Sequence, residues 1–558
     1  MAAPSLPTPA DRPPGPVVLT GADLTVAEVE AVARAGRAAV LDPDARARIQ
    51  LARGVIERLV ESGDVVYGVT TGFGDLAMMR VDPADGRRLQ QNLLVSHAAG
   101  VGEPLPDDVV RAMLVLRANT LAIGHSGCRP EVVDRLLDLL AHRIHPVVPE
   151  RGSVGASGDL APLAHLALPL IGRGEVTVEG VRMPAADALA AAGLAPLVLE
   201  AKEGLALLNG TQLMTAIGAL LLSDADRLLR TASVAAAMSV EALVGTDVAY
   251  AAAYQLARPH PGQIEVAGEL RHLLRGSSLM ESHHRHAHKV QDPYSIRCVP
   301  QVHGAVRDAL DHLRRVLAIE MNSATDNPLV FPDGGGVAAH AVATGGGLVI
   351  SGGNFHGEPI ALALDFAKLA LADLASMSER RTALLLDARL SGGLPPFLTE
   401  RGGLESGMMI LQYTAAALVS EGKVLAHPAT ADSIPTSANQ EDHVSMGAIA
   451  AIHARRVLWN AQTVLAIELL CATQGLDHRL ASANAGREAG EPPLVPGVSA
   501  NAGRDAGDPP LVPGVGVAAA RERVRAVVPP LDEDREMGRD IEAAVGLVRS
   551  GALVDLVG

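Results

Sequence analysis

The stretch from Arg151 to Leu170, RGSVGASGDLAPLAHLALPL, is the part of the chain best suited to unusual chemistry. Read as local structure, it is a glycine-rich loop entering a helix, with Asp159 near the helix start. Such loops also cradle phosphate. Here, however, no Gly-Lys-Ser/Thr follows, and the glycine spacing is not that of a dinucleotide fingerprint. Other chemistry-bearing residues lie far away in sequence. Tyr67 opens YGVTTGFG, where flanking glycines let a ring enter a pocket. His97 lies in SHAAGVG, Asn209 in EGLALLNGTQ and Glu441 in TSANQEDHVSM. Gln291, Tyr294 and Arg297 recur three residues apart, which places them on one face if the segment is helical, with Pro293 in its first turn. Each has a plainer reading: a core tyrosine, a structural histidine, a capping asparagine, a solvated carboxylate or guanidinium.

Ala156-Ser157-Gly158, followed by Asp159-Leu160-Ala161-Pro162-Leu163-Ala164-His165, resembles the signature of the aromatic amino acid lyases. These are the histidine, phenylalanine and tyrosine ammonia-lyases, and the likeness to the histidine-specific branch is strongest. In that family the tripeptide cyclises unaided and loses water, leaving 4-methylidene-imidazol-5-one, with no external cofactor. The residue types suit that reaction. Glycine permits the tight backbone through which its nitrogen reaches the alanine carbonyl, and serine supplies the hydroxyl that leaves. An electrophile, a base for the β-proton and a clamp on the carboxylate are what an ammonia elimination requires.

The resemblance runs from about Val66 to Met446 and assigns those parts. It makes Tyr67 the base, although Thr70 stands where the family usually has Asn. It implies that Asn209 and Arg297 hold the substrate carboxylate, and that Gln291 and Tyr294 line the site around the imidazolone and the departing amine. Phe355, in SGGNFHGEP, is implied to pack beside the imidazolone. His97 and Glu441 are implied to face an imidazole ring, and Met409 stands where phenylalanine lyases often carry Lys. The resemblance therefore implies conversion of L-histidine to trans-urocanate and ammonia. Tyrosine ammonia-lyase, or an aminomutase with the same electrophile, is the alternative. It also implies a homotetramer whose sites combine residues from several chains, and a mainly α fold. That fold is an elongated helical bundle of the fumarase/aspartase-like superfold, with a small irregular N-terminal region holding the active-site loops.

The elements that must position these residues are legible as helices. Thr25-Val-Ala-Glu28 fits a capping box. Val306, Leu310, Leu313 and Leu317 recur at helical spacing with charged residues on other faces. From Pro359 to Arg381, Asp365, Lys368, Ser376 and Glu379 form a polar stripe on an otherwise apolar segment, which predicts a helix buried on most sides. Glycines interrupt the helical pattern at Gly68–Gly74, Gly152–Gly158, Gly334–Gly353 and Gly402–Gly407. Val349-Ile350-Ser351 reads as a short strand, and 517–528 and 539–548 as C-terminal helices. A 17-residue unit occurs twice, as Ser482–Val498 and Ser499–Val515, too few copies for a solenoid. The expected organisation is a Pro-rich disordered tail over 1–17, an N-terminal domain with the imidazolone-forming loop over 18–215 and a central long-helix bundle over 216–480. A duplicated Gly/Pro-rich loop over 481–516 and C-terminal helices over 517–558 follow.

Composition sets the outer bounds. The 558 residues are 48% hydrophobic and 20% charged, enough for a large core. Aromatics are only 2%, so that core rests on Leu, Val and Ala, which suits close-packed helices. A net charge of −16 argues against a nucleic-acid partner. Cys128, Cys298 and Cys471 are odd in number and widely spaced, which favours a reducing compartment over a disulfide framework. Gly204–Ser223 carries no charge, but Asn209, Thr211, Gln212 and Thr215 interrupt it, so a buried segment is expected rather than a membrane span. No secretory h-region is evident near Met1, and the cytoplasm is expected. A metal-dependent hydrolase is the remote competitor, because His283, His284, His286 and His288 crowd ESHHRHAHK. No HExxH or nearby cysteine pair accompanies them, and the lyase reading needs no metal.

Overall fold

The computed structural model describes residues 15–63, 85–155, 158–285, 290–332, 342–344, 347–485 and 510–558. They are mainly helical, with short strands, and form two compact units. One comprises Met1–Ser223, Leu313–Asp365 and Pro428–Ile452. The other comprises Asp224–His312, Phe366–His427 and His453–Gly558. Four long helices, Gln212–Ala242, Val299–Glu320, Glu358–Leu386 and Gly447–Ala485, each contain a boundary position.

In the first unit the helix Val26–Ala33 starts as its sequence predicts. Thr25 Oγ1 accepts the Glu28 N–H, and the Glu28 carboxylate accepts the Thr25 N–H, completing the capping box. The helix Asp107–Ala122 is buried on nearly every side, including Arg111, Arg117 and Asn119. Buried guanidinium groups are tolerable only where carbonyls meet them. Arg111 accordingly donates to Val32 O and Ala33 O at the C-terminus of the first helix. Two short strands do the positioning work. Val101–Pro104 pairs antiparallel with Pro149–Arg151, so the chain just past His97 lies beside the chain that enters the glycine loop. The predicted strand near Val349 is present as Gly347–Ile350, central in a three-stranded sheet with Leu329–Phe331 and Val342–Thr344.

In the second unit the core is anchored by a buried charge cluster. Arg381 donates to both oxygens of Glu468, at 2.5 and 2.8 Å. Ser239 and Ser378 hydroxyls donate to the same carboxylate at 2.7 and 2.6 Å. All four side chains are buried. The C-terminal helices run over Val515–Arg525 and Gly538–Ser550, close to their predicted bounds.

Two sequence expectations need correction. In Glu358–Leu386 the polar stripe is not the outer face. Asp365, Lys368 and Glu379 are buried, whereas Leu362, Phe366 and Leu369 are about half exposed. The inward polar groups are matched: Lys368 Nζ donates to His427 O, and Asp365 accepts from the Thr430 N–H and hydroxyl. Periodicity locates two faces of a helix but does not say which one a partner covers. The second concerns Gln291, which lies outside any helix. The helix there is only Tyr294–Arg297, because Pro293 forms its N-cap and its carbonyl accepts the Ile296 and Arg297 N–H groups.

His303 is fully buried on the Val299–Glu320 helix, and neither ring nitrogen finds a hydrogen-bond partner among the described residues. Burial, with Arg381 and Arg307 nearby, holds its pKa well below the ordinary 6.5. The unfolded chain therefore binds more protons below that value, and stability falls as the pH drops below 6.5. Replacing His303 with Met is expected to stabilise the fold by about 1–3 kcal/mol. The gain should be larger at pH 5.5 than at pH 8. Urea midpoints at the two pH values test this, and a destabilised variant at both would refute it.

Among the described residues no helix is long and apolar enough to cross a membrane. Gly204–Ser223 is buried at nearly every position, as its interrupted pattern predicts.

Candidate active site

The glycine loop is built from the strand Pro149–Arg151 on one side and the helix Leu160–Ala167 on the other. Ala156 and Ser157 lie outside the described residues, as does Tyr67; Gly155, Gly158 and Asp159 lie within them. Ser153 straddles it: its hydroxyl accepts the Gly155 N–H and donates to Asp159, each at 3.0 Å. Gly155 and Gly158 both have left-handed backbone, with φ of +73° and +76°. A Cβ on Gly158 would collide with the backbone of Gly210, and one on Gly155 would collide with the Ser445 hydroxyl. Glycine is therefore required at both positions, for conformation and for space.

Asp159 stands where the sequence suggested a cap for its own helix, yet no such bond is present. Its carboxylate instead accepts from the N–H groups of Leu213 and Met214, at 3.0 and 3.2 Å, in the first turn of Gln212–Ala242. Burial pushes its pKa up to about 7, while those N–H groups and the Ser153 hydroxyl pull the other way. The Asp159 N–H donates to Gly210 O at 2.7 Å. The glycine loop is thus tied to the Asn209-Gly210 turn.

That turn is held from behind. Asn209 caps the helix Glu203–Leu208, and its carbonyl accepts both terminal nitrogens of Arg117, at 2.7 and 2.8 Å. Arg117 also donates to Gln212 Oε1, whose amide donates to Thr120 and Thr325. Burial lowers the Arg117 pKa to about 10, which still leaves it charged at neutral pH. Nothing in the run Val109–Ala122 marks Arg117 as a member of this framework beyond a charged residue in an apolar setting.

Two further segments close on the loop. Met446 N donates to Val154 O at 2.8 Å, and the Ser445 hydroxyl to Gly155 O at 3.3 Å. Gly357 N reaches the same carbonyl at 3.4 Å. The stretch carrying Glu441 and the stretch carrying Phe355 are thereby docked on the chain next to the tripeptide. Glu441 accepts the Thr436 hydroxyl at 2.7 Å. His97 ends the helix Gly86–His97, its Nδ1 2.9 Å from Leu93 O. Burial lowers the His97 pKa, opposed by the Leu93 carbonyl and by the Glu441 charge. The first unit therefore brings Gly158, Asn209, His97, Phe355 and Glu441 to one framework.

The other candidates belong to the second unit. Tyr294 is 70% exposed, and the Arg297 guanidinium lies over its ring, 4.6 Å from the centroid. Arg297 Nε donates to Asp292 O, and among the described residues its terminal nitrogens make no hydrogen bond, which suits them to a carboxylate. Gln291 is exposed, and Met409 opens the helix Met409–Leu425. A cavity of about 640 Å³ adjoins Tyr294, with Arg380, Arg389 and Phe397 among its walls. His286 and His288 of the histidine-rich run lie outside the described residues.

A glycine loop tied to buried Asp159 thus stands on a helical scaffold, against chain that carries Asn209, Phe355 and Glu441. The chain belongs to the aromatic amino acid lyase family, which it matches over residues 24–491. The histidine ammonia-lyase of Deinococcus radiodurans is 53% identical over 532 residues, covering 95% of this chain and 93% of that protein. The crystal structure of histidine ammonia-lyase from Trypanosoma cruzi is 42% identical, with a TM-score of 0.83, over 97% of this chain and 94% of that one. A tyrosine aminomutase structure from Streptomyces globisporus is 38% identical, with a TM-score of 0.84, over 97% and 98%. The fold is the helical one of the fumarase-like superfold.

Proposed function

We propose that the protein is a histidine ammonia-lyase that converts L-histidine to trans-urocanate and ammonia. The observation that carries this reading is the docking of the Glu441 segment on the glycine loop, next to the strand pair that brings the chain just past His97 to the same loop. Both residues proposed to read the imidazole thus lie on chain that joins the glycine loop. The names of its relatives support the same substrate.

Ala156, Ser157 and Gly158 are the residues that would supply a 4-methylidene-imidazol-5-one, and the cradle around Gly155 and Gly158, which no side chain fits, supports that origin. Once formed, the group supplies an electrophilic carbon that no ordinary side chain offers. The remaining tasks fall to side chains. Arg297 and Asn209 hold the substrate carboxylate, which fixes the β-carbon against its base. The Tyr67 oxygen takes the β-proton. Gln291 and Tyr294 line the space for the departing amine, and Phe355 packs beside the ring. His97 and Glu441 accept and orient the imidazole, with Met409 at the edge of the pocket.

We also infer a cytoplasmic homotetramer whose sites combine several chains. The half-exposed Leu362, Phe366 and Leu369, with Ile410 and Tyr413 on Met409–Leu425, offer apolar helix faces suited to a second copy. The likeness to a tyrosine aminomutase favours L-tyrosine as the rival substrate.

L-His, L-Tyr and L-Phe offered separately to the purified protein, with the conjugated acid followed by absorbance, decide between them. L-His should be turned over fastest. Glu441→Gln should lower kcat/KM for L-His by about 10²-fold. Faster turnover of L-Tyr by the parent protein would overturn the assignment.

A further inference from the structure

His356, Glu358 and His443 present their ligating atoms within 4.8 Å of one another, and the elimination uses none of them. All three belong to the first unit. His356 and Glu358 lie at the start of the Glu358–Leu386 helix, and His443 lies on the stretch that carries Glu441.

The local bonding is that of a prepared ligand. His356 Nε2 lies 3.2 Å from His443 O. A carbonyl can only accept, so the ring proton sits on Nε2 and Nδ1 keeps its lone pair. Nδ1 takes only a long contact from the Glu358 N–H, 3.3 Å. A ligating imidazole typically gives its other N–H to a backbone carbonyl, which fixes tautomer and ring orientation. The His443 ring lies parallel to that of His356, 6° between planes and 5.8 Å between centroids. Two imidazoles and a carboxylate form the donor set that suits zinc and leave a fourth position open. His443 is exposed and the other two are half-buried, so an ion can enter from solvent.

We propose that His356, Glu358 and His443 form a divalent transition-metal site, best matched to zinc. It clasps the Glu441 stretch to the chain that follows Phe355. The site is not part of the elimination, and the proposal stands whichever amino acid is the substrate.

The test uses the full-length protein, stripped with chelator, desalted and titrated with zinc chloride by calorimetry. About one zinc per chain should bind saturably, and the melting temperature should rise with zinc because only the folded chain assembles the site. His443→Gln and Glu358→Gln should each weaken binding by at least about tenfold. Both should keep the melting temperature of the stripped parent, which shows that they fold. A His284→Gln/His286→Gln double variant should bind zinc as the parent does. The proposal is overturned by absence of saturable binding, by unchanged affinity in both single variants, or by loss of binding in the double variant alone.

Discussion

Ser157→Ala should reduce turnover of L-histidine by at least about 10³-fold. Its intact mass should match the unmodified sequence, whereas the parent chain should be lighter by the waters lost in ring formation. The argument is one of atoms. Without the serine oxygen there is no leaving group, so no methylidene carbon forms. The scaffold should survive, because its described contacts are made by other groups. Ser153 bridges Gly155 and Asp159, Asp159 caps the long helix, and Ser445 and Met446 hold the preceding backbone. The melting temperature should therefore stay close to that of the parent. Mass spectrometry and turnover, measured on the same preparation, check both halves. A parent chain of full unmodified mass would remove the basis for the mechanism.

Glu468→Leu should destabilise the fold by about 3–5 kcal/mol, the cost of leaving a buried cation without its counter-charge. Arg381 would lose both of its bonds to the carboxylate, and Ser239 and Ser378 would lose their acceptor. The double variant Glu468→Leu/Arg381→Met removes the stranded charge and should recover most of that loss, because paired replacement of a buried ion pair is often close to neutral. Denaturant midpoints of the parent, the single and the double variant provide the measurement. A single variant no less stable than the double would show that the guanidinium finds another partner.

Much of this molecule is legible in its amino-acid sequence. The capping box at Thr25, the helix through Val306–Leu317 and the strand near Val349 follow from local rules, and all are present. The tripeptide was recognisable through its resemblance to the signature of the aromatic amino acid lyases, which is a run of adjacent residues. What could not be read depends on distant chain. Asp159 looked like the cap of the helix that follows it, but its partners are 54 and 55 residues away. Arg117 carries no local signal, since its role is defined by carbonyls 89 and 92 residues further on. The Glu358–Leu386 helix had the right period and the wrong outward face, because buried polar groups there are satisfied by the chain at His427 and Thr430. The His356 cluster escaped notice because its members are separated in sequence, while the adjacent histidines at His283 and His284 were conspicuous.

The bonds from Val154 and Gly155 to Ser445 and Met446 span about 290 residues. A ribosome-bound chain that has emerged only as far as the first long helix has a glycine loop but lacks the Ser445-Met446 segment that bonds to it. A ring closure that needs this contact would have to wait until most of the polypeptide has been synthesised and folded. Such timing would be protective: an electrophile made early would sit among unshielded thiols and amines, whereas one made late would form inside its own enclosure.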